Sequence, residues 1–371
     1  MKSDLPYRIA LSMVPHIGAV QAKLLIQHAG EAKNIFKTPK TLLEKIEGIG
    51  PVRAHAIHAF TNFAAVEKEI KFIEKYSIQP LFLTDSNYPQ RLLNCYDSPT
   101  LLYCKGNASL NHPKIIGIIG TRNNTEYGKI ITEQILRDLA SIEPLIISGL
   151  AFGIDGIAHK SAMRNGMSTI GVLAHGLSYI YPAEHHALAR EMTLQGALVT
   201  EFRHLVKADK HNFPIRNRIV AGMCDAIIVT ETGEKGGSMI TAELANGYNR
   251  DVFAVPGKTT DTRSAGCNKL IRSNKAILLT DGRQLMENMG WLPKDNGNAK
   301  AQQGARQRQL FFQLSEQEKK IVELLSQKQN MHIDELNICS RMNGSALAAA
   351  ILNLEMMGIV GSSPGKIYTL L

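Results

Sequence analysis

Paired cysteines are missing from this chain. Its five, Cys95, Cys104, Cys224, Cys267 and Cys339, lie far apart and form no Cys-x-x-Cys. That spacing supports neither a disulfide framework nor a zinc site. Their odd number and sparse use predict a reducing, cytoplasmic setting. Long hydrophobic runs are missing as well. None reaches the ~18 residues of a membrane helix. The start, MKSDLPYRIALSMVPHIG, has no long apolar core, so no signal peptide is expected. Two nucleotide signatures are also absent. There is no Gly-x-x-x-x-Gly-Lys-Ser/Thr loop and no Gly-x-Gly-x-x-Gly with an acidic residue downstream, so ATP hydrolysis and NAD binding lack support. No Ser/His/Asp order or metal-ligand spacing emerges either.

What is present is an ordinary globular composition, 44% hydrophobic and 20% charged over 371 residues, long enough for two or three domains. The 42 basic and 33 acidic side chains leave a net charge of +9, which favours an anionic partner. Residues 1–75 read as helical, with apolar residues at helix spacing such as Ala22, Leu25 and Ile26. Within them, Val14-Pro15-His16-Ile17-Gly18 and Ile46-Glu47-Gly48-Ile49-Gly50-Pro51 resemble helix-hairpin-helix turns. In those turns glycine lets backbone N–H groups approach a phosphate. A plain interhelical turn accounts for them equally well.

Residues 76–110 form a connector within a longer domain, 76–292. From about 110 to 290, continuous apolar strands alternate with helices, as in Ile115–Ile119, Leu145–Ile147, Thr169–Leu173 and Ala226–Thr230. This rhythm predicts a doubly wound, Rossmann-like parallel sheet covered on both faces. Residues 293–312 are polar and read as a linker. In 313–371, Ser315-x-x-Glu318 is a capping box. It opens a pattern that suits a winged helix. Its recognition helix, from Ser345 to Asn353, is nearly free of charge, which favours a packing or protein-contact role over DNA reading.

The segment Lys210-His211-Asn212-Phe213-Pro214-Ile215-Arg216-Asn217-Arg218 packs three permanent cations, a ring and amides into a stretch between two strands, read here as a loop. Cations that grip phosphates beside a ring that stacks on a base make a single-stranded nucleic-acid site. Pairing with nearby carboxylates is the other reading. Two glycine loops precede helices, Gly149 to Gly153 and Glu234-Lys235-Gly236-Gly237-Ser238. Ligands of open α/β sheets bind outside the carboxyl ends of the strands, where these loops and Gly120-Thr121-Arg122 all fall. Ser238 either caps its helix or holds a phosphate oxygen. Asp155 and His159 share a helical face. An Asp bonded to its own first turn is favoured over acid–base chemistry.

Taken in order, Gly120-Thr121-Arg122, Ser148-Gly149-Leu150-Ala151-x-Gly153-Ile154-Asp155-x-x-Ala158-His159, Phe213-Pro214-x-Arg216-Asn217-Arg218-Ile219, Lys235-Gly236-Gly237-Ser238-x-x-Thr241-Ala242 and Val255-Pro256-Gly257 resemble the DprA/Smf family of DNA-processing proteins. The resemblance implies a dimeric, cytoplasmic protein that binds single-stranded DNA. Such a protein protects incoming strands in natural transformation and helps load RecA, with no enzymatic turnover. It also implies a helical, helix-hairpin-helix- or SAM-like N-terminal domain. Arg122, Lys210 and Phe213 match strand-contact positions. Arg216 and Arg218, with Asn217 between them, either bind phosphate or pair with Glu201 or Glu231. Arg218 is assigned to binding and Arg216 to structure. Gly149, Lys235, Gly236, Gly237 and Ser238 shape the same pocket, and Gly266 to Ile277 is the expected dimer interface. Where relatives carry a basic residue after the Tyr-Pro matching Tyr181-Pro182, this chain has Ala183 and Glu184, so His185 and His186 are weak substitutes. The alternative is a nucleoside-monophosphate phosphoribohydrolase, suggested by Gly236-Gly237-Ser238 with Glu243. No cofactor is expected under either reading.

Overall fold

A computed structural model of the chain describes residues 4–292, 314–328, 330–363 and 365–370. The linker expected at 293–312 lies outside them. The chain divides into two compact units, Met1–Asp281 and Gly282–Leu371.

The first unit opens with six helices: α1 (Leu5–Met13), α2 (Ala19–Ala29), α3 (Ala32–Lys37), α4 (Lys40–Leu43), α5 (Gly50–His58) and α6 (Phe63–Lys75). Ile9, Leu11, Leu25, Ile35 and Ile57 are fully buried among them. Gly48 and Gly50 adopt φ of 81° and 63°, which a side chain would strain. Arg53 holds the two glycine turns together, donating from Nε to the His16 carbonyl and from its guanidinium to the Gly48 carbonyl, both at 3.1 Å.

The sheet follows: β1 (Gln79–Phe82), α7 (Gln90–Leu93), β2 (Leu101–Gly106), β3 (Ile115–Gly120), α8 (Glu126–Leu139), β4 (Leu145–Ser148), α9 (Ile154–Arg164), β5 (Thr169–Val172), α10 (His186–Gln195), β6 (Ala197–Thr200), α11 (Asn212–Met223), β7 (Ala226–Glu231), α12 (Gly237–Gly247), β8 (Asp251–Ala254), α13 (Ala265–Arg272) and β9 (Ile277–Leu278). The strands pair in the order β1-β2-β6-β5-β4-β3-β7-β8-β9. From β6 to β9 every pairing is parallel. The run Ile115–Ile119 is continuous in apolar residues because helices cover both of its faces, and Ile115, Ile116 and Ile118 are fully buried.

Two features differ from the sequence reading. The connector is part of the sheet: β1 and β2 add an antiparallel edge, with β2 pairing β6. The segment read as a loop at 210–218 is mostly helix, since α11 starts at Asn212. Pro214 stands in its first turn, where its missing N–H costs nothing. The rest of α11 is buried on several sides, from Ile219 through Met223. It therefore has no single apolar stripe to reveal it.

The second unit opens with α14 (Gly282–Asn288). It continues with α15 (Glu316–Gln327), β10 (Asn330–His332), α16 (Ile333–Ser340), α17 (Gly344–Met356), β11 (Val360–Ser363) and β12 (Ile367–Leu370). The three strands pair antiparallel as β10-β12-β11, the sheet of a winged helix. The capping box is in place. Ser315 Oγ accepts the Glu318 N–H at 3.3 Å, and Glu318 accepts the Ser315 N–H at 2.7 Å. Ile321, Leu325, Leu336, Leu347 and Leu354 form its core.

Candidate nucleic-acid interface

Of the parallel strands the chain builds β3 first, adds β4, β5 and β6 on one side, then crosses over to add β7 on the other. Loops diverge at that switch point, and a crevice opens outside the strand ends. A cavity of about 300 Å³ occupies it. Four segments form its walls: Gly120 to Arg122 after β3, Gly149 to Asp155 after β4, Phe213 to Val220 of α11, and Thr232 to Ser238 entering α12. Of the expected site residues, Arg122, Phe213, Arg216, Asn217, Gly149, Lys235, Gly236, Gly237 and Ser238 all line it. Lys210 and Arg218 do not. Lys210 is exposed on the approach to α11.

The two glycine loops have different electrostatics. In the loop after β4, Asp155 Oδ2 accepts the N–H groups of Gly149 and Ala151 at 3.1 and 3.2 Å. An internal carboxylate already fills that nest. Burial pushes the Asp155 carboxyl up, against the nearby Arg216 charge and these N–H groups. Gly153, φ 72°, leads into α9 where a side chain would collide with the Thr121 and Arg122 carbonyls. At α12 no such acid intervenes. Its first turn lines the cavity with N–H groups that have no intrahelical partner. Lys235 stands exposed beside them. Ser238 Oγ is committed to Thr232 Oγ1 at 2.7 Å, so it is neither the cap nor a free phosphate ligand.

The arginines separate by environment. Arg216 is 5% exposed, and its guanidinium donates to the carbonyls of Gly149, at 2.5 Å, and Val172. Its Nε donates to Asn217 Oδ1 at 3.2 Å, and Asn217 Nδ2 donates to the Gly237 carbonyl at 3.1 Å. One buried fork thus ties β4, β5, α11 and α12 together. Burial lowers its pKa to about 10, against the opposing pull of Asp155. Arg218, assigned to phosphate from sequence, is instead turned to the Glu201 carboxylate and the Asp97 carbonyl. Burial raises Glu201 to about 7, against the Arg218 charge. Arg122 is exposed, with its guanidinium 4.8 Å from the Phe213 ring centroid. The Tyr181 ring lies 6.1 Å from Phe213. Arg122, Phe213 and Tyr181 also line a smaller neighbouring recess.

His185 does not replace the missing cation, because it is buried with Nδ1 3.0 Å from the Leu150 carbonyl, whereas His186 is exposed. Buried His159, pushed down to about 3 by desolvation, meets Thr169 Oγ1 at 2.6 Å and not Asp155. Sequence reasoning missed Thr232 and Tyr181 as site residues. The Tyr-Pro at 181 is a visible aromatic signal. Thr232 carries none.

A Rossmann-like sheet with a crevice at its switch point places the chain among the open α/β proteins that take ligands outside the strand ends. The family model for DNA recombination-mediator protein A matches residues 79–290, and that for the DprA winged helix domain matches 306–366. The chain belongs to this DprA family of DNA-processing proteins. Protein Smf of Synechocystis is 31% identical over 99% of this chain and 98% of its own length. DNA processing protein DprA of Bacillus subtilis is 40% identical over 54% of this chain and 68% of its own. Among solved structures, DprA of Streptococcus pneumoniae matches with a TM-score of 0.67 and 31% identity, over 76% of this chain and 96% of that one. DNA processing protein A of Helicobacter pylori matches with a TM-score of 0.52 and 31% identity, over 57% of this chain and 94% of that one. That study concerns a single-stranded DNA binding mode. No helix among the described residues is long and apolar enough to cross a membrane.

Proposed function

We propose that this chain binds single-stranded DNA at the central cavity, protects incoming strands in natural transformation and helps load RecA onto them. The observation that carries the reading is Arg122 over Phe213 at the cavity wall. A strand needs a ring for an unpaired base and cations for the adjoining phosphates, and Arg122, Lys210 and Lys235 are all exposed near it. The first turn of α12 offers N–H groups to a phosphate. Arg216 and Asn217 hold the walls. Arg218 orients α11 through Glu201. The domain description as a recombination mediator supports the RecA role.

The chain acts by binding and carries out no turnover. Glu243, which a phosphoribohydrolase would need in its pocket, pairs with Lys275 at 2.8 Å on the surface. Cys95, Cys104, Cys224 and Cys267 are buried and in no disulfide among the described residues, as a reducing cytoplasm would keep them. A homodimer through Gly266–Ile277 suits the exposed apolar side chains at its end, Ile277 at 42% and Leu278 at 40%.

The test is competition between labelled oligo-dT and duplex of the same length, over a salt series. The reading expects strands to win. Arg122→Ala and Lys210→Ala should each flatten the slope of log affinity against log salt by about 0.7. Duplex competing as well as single strand would refute it.

A further inference from the structure

We propose that the strand track continues beyond the central cavity into a second cleft, between α6 and the loop joining β6 to α11, where one base and two phosphates are held. The proposal rests on the single-stranded reading of the central site and extends it. The cleft holds about 230 Å³ and is lined by Ala65, Lys68 and Glu69 of α6 and by Arg203 to Val206 of the loop. The same loop carries exposed Lys207 and Lys210 before it enters α11 at Asn212. One stretch of backbone therefore spaces Arg203, Lys207 and Lys210 from the cleft to the central ring. From Arg203 to Lys210 the one acid is Asp209, which accepts the His211 N–H at 2.9 Å.

The loop is held in place by a buried acid. Glu69 is 2% exposed. Its Oε1 accepts the His204 N–H at 3.0 Å, and its Oε2 lies 2.5 Å from His204 Nδ1. Both carboxylate oxygens are thus occupied by the loop. Lys68 and Arg203 have no carboxylate within ion-pair distance among the described residues, so they present net positive charge to the cleft. From His204 in the cleft lining, a row of rings leads outward and repeats the chemistry of the central site. The His204 imidazole stacks on Phe72 at 4.5 Å, and Phe72 packs on Tyr76 at 4.6 Å. Tyr76 is 42% exposed, with Lys75 Nζ and Lys105 Nζ 5.3 and 5.6 Å from its ring centroid. An exposed ring between cations is a stacking platform with phosphate grips. A folded acidic ligand would use the cations but not the ring, so a flexible strand is the favoured occupant.

The test compares wild type with the surface double variant Lys68→Ala/Arg203→Ala and with Tyr76→Ala, using oligo-dT of increasing length. The wild-type to variant affinity ratio should rise with strand length, to about tenfold or more on long strands. The salt slope of the double variant should fall by about 1.4 on long strands, two contacts at about 0.7 each. A ratio of one at every length overturns the proposal. So does a polyglutamate peptide that binds wild type and is lost in the double variant while strand binding is untouched, since the cleft then belongs to an acidic protein segment. Phe213→Ala on the shortest strand isolates the central site. Its failure there removes the central reading, while a flat length profile removes only the cleft.

Discussion

Two helices in this protein stand where a nucleic acid could lie, α11 at the sheet rim and α17 in the winged helix, and they are built in opposite ways. α17 is an ordinary core helix. Leu347, Ala350, Ile351 and Leu354 are buried, while Ala348, Leu352 and Met356 face out without charge. α11 buries an arginine and an asparagine in its second turn and presents a ring at its first. Burying a charge is costly unless it is paired and hydrogen-bonded, and Arg216 meets that demand through two carbonyls, Asn217 and the nearby Asp155. A helix that carries such a fork is tied to the strands around it, and its ring is fixed as a consequence. The described residues of the winged-helix domain hold no comparable device, so the rim and not the recognition helix is where strand binding is expected.

The contrast is open to attack. Arg216→Ala strips the Gly149 and Val172 carbonyls of their donor and takes the nearby positive charge from Asp155, so urea unfolding should lose about 3–5 kcal/mol. A loss under 1 kcal/mol would mean that the fork does not hold α11.

A smaller effect concerns pH. Glu201 is raised to about 7 from an ordinary 4.5, mainly by burial. Between those values the folded protein binds the proton that the unfolded chain has released, so this group favours folding at low pH. That contribution fades as pH rises through about 7. Glu201→Gln should flatten this fall in stability between pH 4.5 and 7, as read from urea midpoints across the window. A steeper fall in the variant would contradict the assignment.

The smallest change is expected on the other side of the comparison. Removing residues 314–371 should leave oligo-dT affinity within error of the full chain, and a tenfold loss would return α17 to the binding surface.

Much of the sheet was legible because strands buried on both faces read as unbroken apolar runs, as Ile115–Ile119 does, and because the glycine loops sit at their carboxyl ends. The Ser315–Glu318 box was legible because a cap is local. α11 was not, since a helix surrounded by protein lacks a period of 3.6 in hydrophobicity and Pro214 looks like a turn signal. The Arg218 pairing was hidden for a different reason. Its partners, Asp97 and Glu201, lie 121 and 17 residues away, and no spacing rule joins them. The antiparallel edge was hidden in the same way, because β2 finds its partner β6 only after three further strands of the chain. The cavity residues themselves were gathered from sequence by the strand-end rule, which needs only the order of elements.

The most direct test of the central site is fluorescence anisotropy of a short labelled oligo-dT with wild type and Phe213→Ala, at several salt concentrations. The account predicts tight, salt-steep binding that weakens by about 1–3 kcal/mol in the variant. Its unfolding midpoint should not change, because the ring is only half-buried. Binding that ignores Phe213 would contradict it.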